Sequence, residues 1–334
     1  MRICIIGDCG GHIGCIFDGK LGPHEYVGAA ASSPFEGLEG LCRLAEEKTG
    51  KELPVYDDWR RMLEETRPDA VAVDSIFSHH AEIACFALER GIHVFCEKPA
   101  ATDRADLDVL ERAAAASEAR IFSMLTARFD PWFYTAKRCV ESGALGELLL
   151  AGGQKSYKLG RRPEFFYRRE TYGGTIPWVA IHMVDQLLWL TGRRCREVYA
   201  KQTTRGNGGQ GDIETAAAIL LELEGDLPAH VNADYGRPQN APTHGDDRVR
   251  LVGAKGVLEV REDKVYLIDG QHDGRTPLPL LRPEPIFDGF VKVAAGSRDP
   301  IYRDCAGFSA CRVCLAARDS ADRGAPVRFS FPPF

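Results

Sequence analysis

Over the first 125 residues, apolar runs alternate with runs of helical spacing, and this order limits the chain more than any other feature. Arg2 to Ile6, Tyr26 to Ala31, Ala70 to Val73, His93 to Cys96 and Arg120 to Leu125 read as short strands. Gly40 to Thr49, Ala81 to Arg90 and Arg104 to Ser117 read as the helices between the later ones. Strands separated by helices of this length do not pair as hairpins. They close as βαβ units on a parallel sheet, and ligands of such sheets bind beyond the carboxyl ends of the strands.

The pattern changes after residue 125. Gly146 to Gly152, Glu197 to Thr203, Thr215 to Glu222, Ala229 to Asp234, Arg248 to Val252, Gly256 to Arg261 and Lys264 to Ile268 read as strands, several joined by short turns such as "GAKG" and "EGD". Helical spacing recurs at Pro131 to Glu141, Pro177 to Thr191, Phe287 to Ala295 and Cys305 to Asp319. The expected division is a Rossmann-type α/β domain over 1–125 and an α+β domain with a large, mostly antiparallel sheet over 126–334. The final helix is free to pack back on the first domain. A chain of 334 residues suits two domains.

A net charge of -6 and a pI near 5.9 give no basic field for nucleic acid. No apolar run reaches the roughly 18 residues of a membrane helix. Met1 leads straight into "RICIIG", a strand and a glycine turn, so the expected location is the cytoplasm. The 11 cysteines are scattered, several inside apolar runs, and read as reduced core residues. Cys311 and Cys314 form C-x-x-C, but they lie in a segment of helical spacing without a second pair, so no metal site is expected.

The first βα turn, "IIGDCGGHIG", is rich in glycine. A dinucleotide fingerprint asks for G-x-G-x-x-G there. Gly7 fills the first place, Cys9 stands at the second and His12 at the third, while Gly10 and Gly11 keep the backbone open to a phosphate at a helix start. At the end of the second strand, Ser32 and Ser33 stand where a carboxylate ordinarily meets the ribose. With no carboxylate expected, a 2′-phosphate meets no repulsion, which favours NADP over NAD. The strand at His93 to Cys96 ends in Glu97-Lys98-Pro99. A buried charged pair is costly, and its position makes sense if that strand end opens into a cleft.

The segment "DAVAVDSIFSHHAEIACFALERGIHVFCEKPAATDRADLD", Asp69 to Asp108, resembles the Gfo/Idh/MocA family of NAD(P)-dependent oxidoreductases. The resemblance continues through "ARFDPWF", "ESGALGEL", "GGTIPWVAIHMVDQLLWLTG", "GAKGVLEV" and "SADRGAPVRF", nearly the whole chain. It implies that Lys98 reaches substrate and cofactor, and that His182 is the catalytic acid/base. It also implies a cofactor site of Gly7, Cys9, Gly10, Gly11, His12, Ser32, Ser33, Ser78, His80, Glu97 and Lys98. Asp185, one turn after His182, either orients it or packs. Trp178 stands where many members carry an aspartate beside the histidine. An indole cannot raise the basicity of His182, though at i and i+4 both should share a helix face.

"KSYKLGRRPEFFYRRETYGG", Lys155 to Gly174, interleaves cations and aromatics and reads either as a solvated loop or as the mouth of a site for an anionic or polyhydroxylated ligand. Arg128, Lys155, Trp178 and His244 join Lys98 and His182 as candidate substrate contacts. The resulting expectation is an enzyme that moves a hydride between NAD or NADP and a sugar, cyclitol or similar polyol. Its large sheet should form the interface of a homodimer or homotetramer. A non-catalytic cofactor-binding regulator and a redox-neutral enzyme are the rival readings.

Overall fold

Strand β1 (Arg2–Ile6) buries Ile3, Cys4, Ile5 and Ile6 completely because it lies inside a parallel sheet with strands on both sides. The computed structural model describes residues 1–330. It divides them into two compact units. The first comprises Met1–Leu125, Glu170–Gly173 and Glu284–Phe308. Its strands after β1 are β2 (Glu25–Ala30), β3 (Val55–Tyr56), β4 (Ala70–Val73), β5 (His93–Cys96) and β6 (Ile121–Ser123), in the spatial order β3-β2-β1-β4-β5-β6. All five pairings are parallel. The strand order reverses direction beside β1, which is where dinucleotides bind in Rossmann sheets.

Three features of this unit differ from the sequence reading. The short β3 and a helix at Trp59–Thr66 were not expected. That helix is capped by Asp58, whose carboxylate accepts from the amides of Arg60 (2.7 Å) and Arg61 (3.1 Å). Secondly, the glycine-rich turn opens into a six-residue 3₁₀ helix, Ile13–Asp18, rather than a full α-helix. Gly19 is extended, and the amides of Lys20 and Leu21 turn to Oδ1 of buried Asp288 (2.7 and 3.0 Å). Thirdly, 284–308 belongs to this unit although sequence placed it with the second domain. Phe287 and Phe290 stack on Phe95 of β5 at 5.3 and 5.2 Å, which fixes the helix Ile286–Ala294 there.

Among the described residues the second unit comprises Thr126–Arg169, Gly174–Pro283 and 309–330. Its strands are β7 (Leu148–Tyr157), β8 (Cys195–Thr203), β9 (Ala216–Leu223), β10 (Leu227–Asp234), β11 (Gly245–Gly253), β12 (Gly256–Arg261), β13 (Lys264–Asp269), β14 (Thr276–Pro277) and β15 (Val327–Arg328). They form one sheet in the order β14-β13-β12-β11-β7-β10-β9-β8-β15. Only β7 and β10 run parallel; the other pairings are antiparallel. Helix Ile181–Thr191 packs on β7 and β10, and helix Pro131–Glu141 packs on it and on β12 and β13. Strands β9 and β10 alternate buried and exposed residues, so their second face carries no helix and shows Leu220, 58% exposed. The closing helix Phe308–Arg323 stays with this unit: Ser320 Oγ accepts from the amide of Ala200 on β8 (3.1 Å).

Candidate active site

The first unit builds a buried polar knot at the carboxyl ends of β1, β4 and β5. Gly7 has φ +81°, and a Cβ there would lie 2.5 Å from Ser75 Cα, so only glycine lets β1 turn this close to β4. The amide of Gly7 donates to Ala30 O (3.0 Å) and that of Cys9 to Asp74 O (2.7 Å). The amide of Gly10 donates to Asp74 Oδ1 (2.6 Å), and a Cβ on Gly10 would collide with Asp74 and Glu97. Gly11, at φ +80°, has nothing within 4 Å of its Cβ position. The loop therefore leans on two carboxyl groups from below and is open above.

Those carboxyl groups differ in ionisation. Burial, and then the Glu97 charge, push Asp74 well above the ordinary carboxylate range, with the Gly10 amide opposing. Burial alone would raise Glu97 too. His12, whose Nδ1 lies 2.8 Å from Glu97 Oε2, and Lys98 outweigh it and hold Glu97 below its ordinary value. Lys98 is 1% exposed; its amide donates to Glu97 Oε1 (3.0 Å) and its Nζ lies 3.8 Å from the same oxygen. The knot thus sets two carboxyl groups of opposite pKa shift beside one buried lysine. The Lys98–Pro99 peptide bond is cis.

The other first-unit candidates fall into two groups. Ser32 and Ser33 follow β2, but a carboxylate does stand there, which corrects the sequence reading. Glu36 folds back to accept from the Ser32 amide (2.7 Å), both serine hydroxyls (2.8 and 3.1 Å) and the amide of Ile76 (3.0 Å). The signal was available four residues after Ser32, beyond the strand end where it was sought. His80 is completely buried, its ring nitrogens 2.8 Å from Pro99 O and 2.9 Å from Ser75 O. It braces the β4 and β5 loops and presents no surface to a ligand. Ser78 is half-buried in the 3₁₀ turn Phe77–His79. Cys9 is half-buried, and burial followed by the charges of Glu36 and Asp74 pushes its thiol well up.

In the second unit, Trp178 lies on a π-helical turn, Ile176–Ala180, that leads directly into the helix Ile181–Thr191 carrying His182. Sequence read one continuous α-helix; wide turns of this kind recur at functional sites. Glu214 fixes its start, accepting from the amide of Thr175 (2.9 Å), while Thr175 Oγ1 donates to Glu214 O (2.6 Å). Trp178 and His182 are 6% and 2% exposed, and Phe166 meets the indole edge-on at 5.8 Å. Asp185 accepts twice from Arg128, once from its Nε at 2.7 Å and once from its Nη2. Arg128 is therefore a buried bidentate partner of the helix, not a free substrate ligand. Lys155 is buried and paired with Asp247, and exposed His244 stacks near Tyr157 at 4.9 Å.

Residues 19–124 match the oxidoreductase family with an NAD-binding Rossmann fold, and residues 133–259 match the GFO/IDH/MocA C-terminal domain. A myo-inositol 2-dehydrogenase of Thermotoga maritima is 30% identical over 282 residues, 82% of this chain and 80% of that one. This chain belongs to the GFO/IDH/MocA family of oxidoreductases. An oxidoreductase YrbE of Bacillus subtilis, of uncharacterised activity, is 30% identical over 293 residues, 82% of each chain. A solved Thermotoga maritima structure, of a protein assigned as an oxidoreductase, superimposes with a TM-score of 0.93 at 38% identity, covering 98% of this chain and all of that one. Levoglucosan dehydrogenase in complex with NADH and L-sorbose shares the fold at a TM-score of 0.79 and 18% identity, with 98% of each chain covered.

The glycine loop of this GFO/IDH/MocA oxidoreductase suits the NAD(P) coenzyme of its Rossmann fold. Gly7 and Gly10 bring the backbone down onto β4 and β5, and Gly11 leaves the outer surface free for a pyrophosphate.

Proposed function

We propose that this oxidoreductase interconverts a secondary alcohol and a ketone on a sugar, cyclitol or related polyol, with NAD rather than NADP. The observation that carries the reading is Lys98, an ammonium 1% exposed at the end of β5 and held by Glu97 against the glycine loop. A structural ion pair does not need a lysine buried at the ligand end of a parallel sheet. Bound nicotinamide supplies the hydride acceptor or donor. The glycine turn, open at Gly11, takes the pyrophosphate, His12 keeps Glu97 charged, and Ser32, Ser33 and Glu36 meet the adenosine ribose. The Glu36 carboxylate repels a 2′-phosphate, which supports NAD. Lys98 holds charge on the substrate oxygen, and His182 takes the hydroxyl proton, a role for a neutral imidazole. Trp178 contributes an apolar wall.

The names of the inositol dehydrogenase relatives support a cyclitol-like substrate. The uncovered face of the nine-stranded sheet, with Leu220 over half exposed, supports self-association.

The test is turnover of a panel of polyols and sugars with NAD and NADP, followed by two variants. Lys98→Met and His182→Ala should each lower kcat by about a hundredfold or more, with NAD affinity changed far less. If both variants retain full turnover, these catalytic roles are wrong.

A further inference from the structure

The carboxyl end of β7 carries positive charge that the protein itself leaves uncompensated. Lys158 Nζ donates to a carbonyl, Ala241 O (2.6 Å), and Arg162 Nη2 donates to Lys158 O (3.0 Å). Among the described residues, neither cation has a carboxylate within ion-pair distance. Arg162 Nε is buried and has no hydrogen-bond partner there. The guanidinium is steadied over the ring of Tyr235, 4.7 Å from its centroid.

The surrounding acids are already engaged. Asp247 pairs with Lys155, and Asp246 lies 2.7 Å from Arg248 and 3.6 Å from Arg237. Asp234 accepts from Ser156 Oγ (2.6 Å) and the Gly236 amide (2.8 Å). The local field is consistent with this arrangement: burial, then the charges of Arg162, Lys158, Lys155 and Arg237, hold the His244 imidazole below its ordinary pKa.

We infer that Lys158 and Arg162 bind an anionic oxygen group on the substrate, so that the preferred ligand is an acidic sugar or polyol rather than a neutral one. The inference rests on the proposed polyol oxidoreductase activity for the location of the substrate, and on the two uncompensated cations for its charge. A guanidinium suits a carboxylate or a phosphate. Carbonyl oxygens and, for Arg162, the Tyr235 ring hold these two side chains in place without neutralising them.

The experiment measures binding by calorimetry on the full chain in the presence of NAD, using glucuronate, glucose 6-phosphate and glucose. At least one of the two anions should bind ten or more times more tightly than glucose, and added salt should erode that advantage. The better anion identifies the group as carboxylate or phosphate. Arg162→Gln and, separately, Lys158→Met should each lower that anion's affinity about tenfold or more while leaving glucose affinity unchanged. Using both variants guards against one failing to fold. Equal or tighter binding of glucose, binding of none of the three, or an anion preference that survives in both variants overturns the inference. NAD binding is read in a separate titration without sugar. An anion bound by a protein that does not bind NAD would uphold this site and remove the oxidoreductase reading.

Discussion

His12 Nδ1 and Glu97 Oε2 lie 2.8 Å apart, joining the third position of the glycine turn to the end of β5. The side chain that replaces a fingerprint glycine therefore compensates a buried carboxylate. His12→Ala would leave Glu97, fully buried, facing Lys98 alone. Removing one member of such a pair costs several kcal/mol when both are buried. Because His12 is part-exposed, a loss of about 1–2 kcal/mol is expected. The sign with pH follows from the depressed Glu97 carboxyl. Its contribution is present above the ordinary value of 4.5 and is lost as pH falls through the lower folded value. Urea unfolding at pH 7 and pH 4 should show a larger acid loss in the wild type than in His12→Ala. Equal losses would mean that the pair contributes nothing.

The two positive-φ glycines of the turn should respond very differently to one methyl group. Gly7→Ala places Cβ 2.5 Å from the backbone of Ser75, which cannot yield, and should cost at least about 3 kcal/mol or prevent folding. Gly11→Ala meets open space and incurs only the left-handed backbone penalty of about 1–2 kcal/mol. Melting temperatures of the two variants check this; similar values would contradict the close approach of β1 to β4.

Asp130 gives the second unit a pH dependence of opposite sign. Burial pushes its carboxyl up to about 7, with Lys155 opposing and Asp247 and Asp263 adding to the rise. A carboxyl raised on folding stabilises below its unfolded value of about 3.8, and that contribution is lost as pH rises towards 7. Asp130→Asn should therefore be more stable than the wild type at pH 8, by on the order of 2–4 kcal/mol, with the gap closing towards pH 4. A gap independent of pH would show that Asp130 does not titrate in this range.

Regular elements were legible wherever one period dominated. β4, β5, β12 and the helix Pro131–Glu141 lie where their apolar spacing put them. The two-residue strands β3, β14 and β15 were not, because pairing partners rather than local pattern make so short a segment extended. The glycine turn and Lys98 stand out as candidates by their position at strand ends, and His182 through the family resemblance. What stayed hidden depends on side chains folding back across the sequence: Glu36 onto Ser32, Arg128 onto Asp185, and His80 between two carbonyls. Spacing carries no record of such partners.

The proposed reaction transfers a hydride between a substrate carbon and the nicotinamide ring. The direct measurement is incubation of the protein and NAD with carbon-deuterated inositol, glucose and glucuronate in ordinary water, followed by mass spectrometry of the reduced coenzyme. Reduced coenzyme carrying one deuterium on its nicotinamide ring is expected with at least one of these substrates. Reduced coenzyme without label, or none with any of the three, would contradict the proposed reaction.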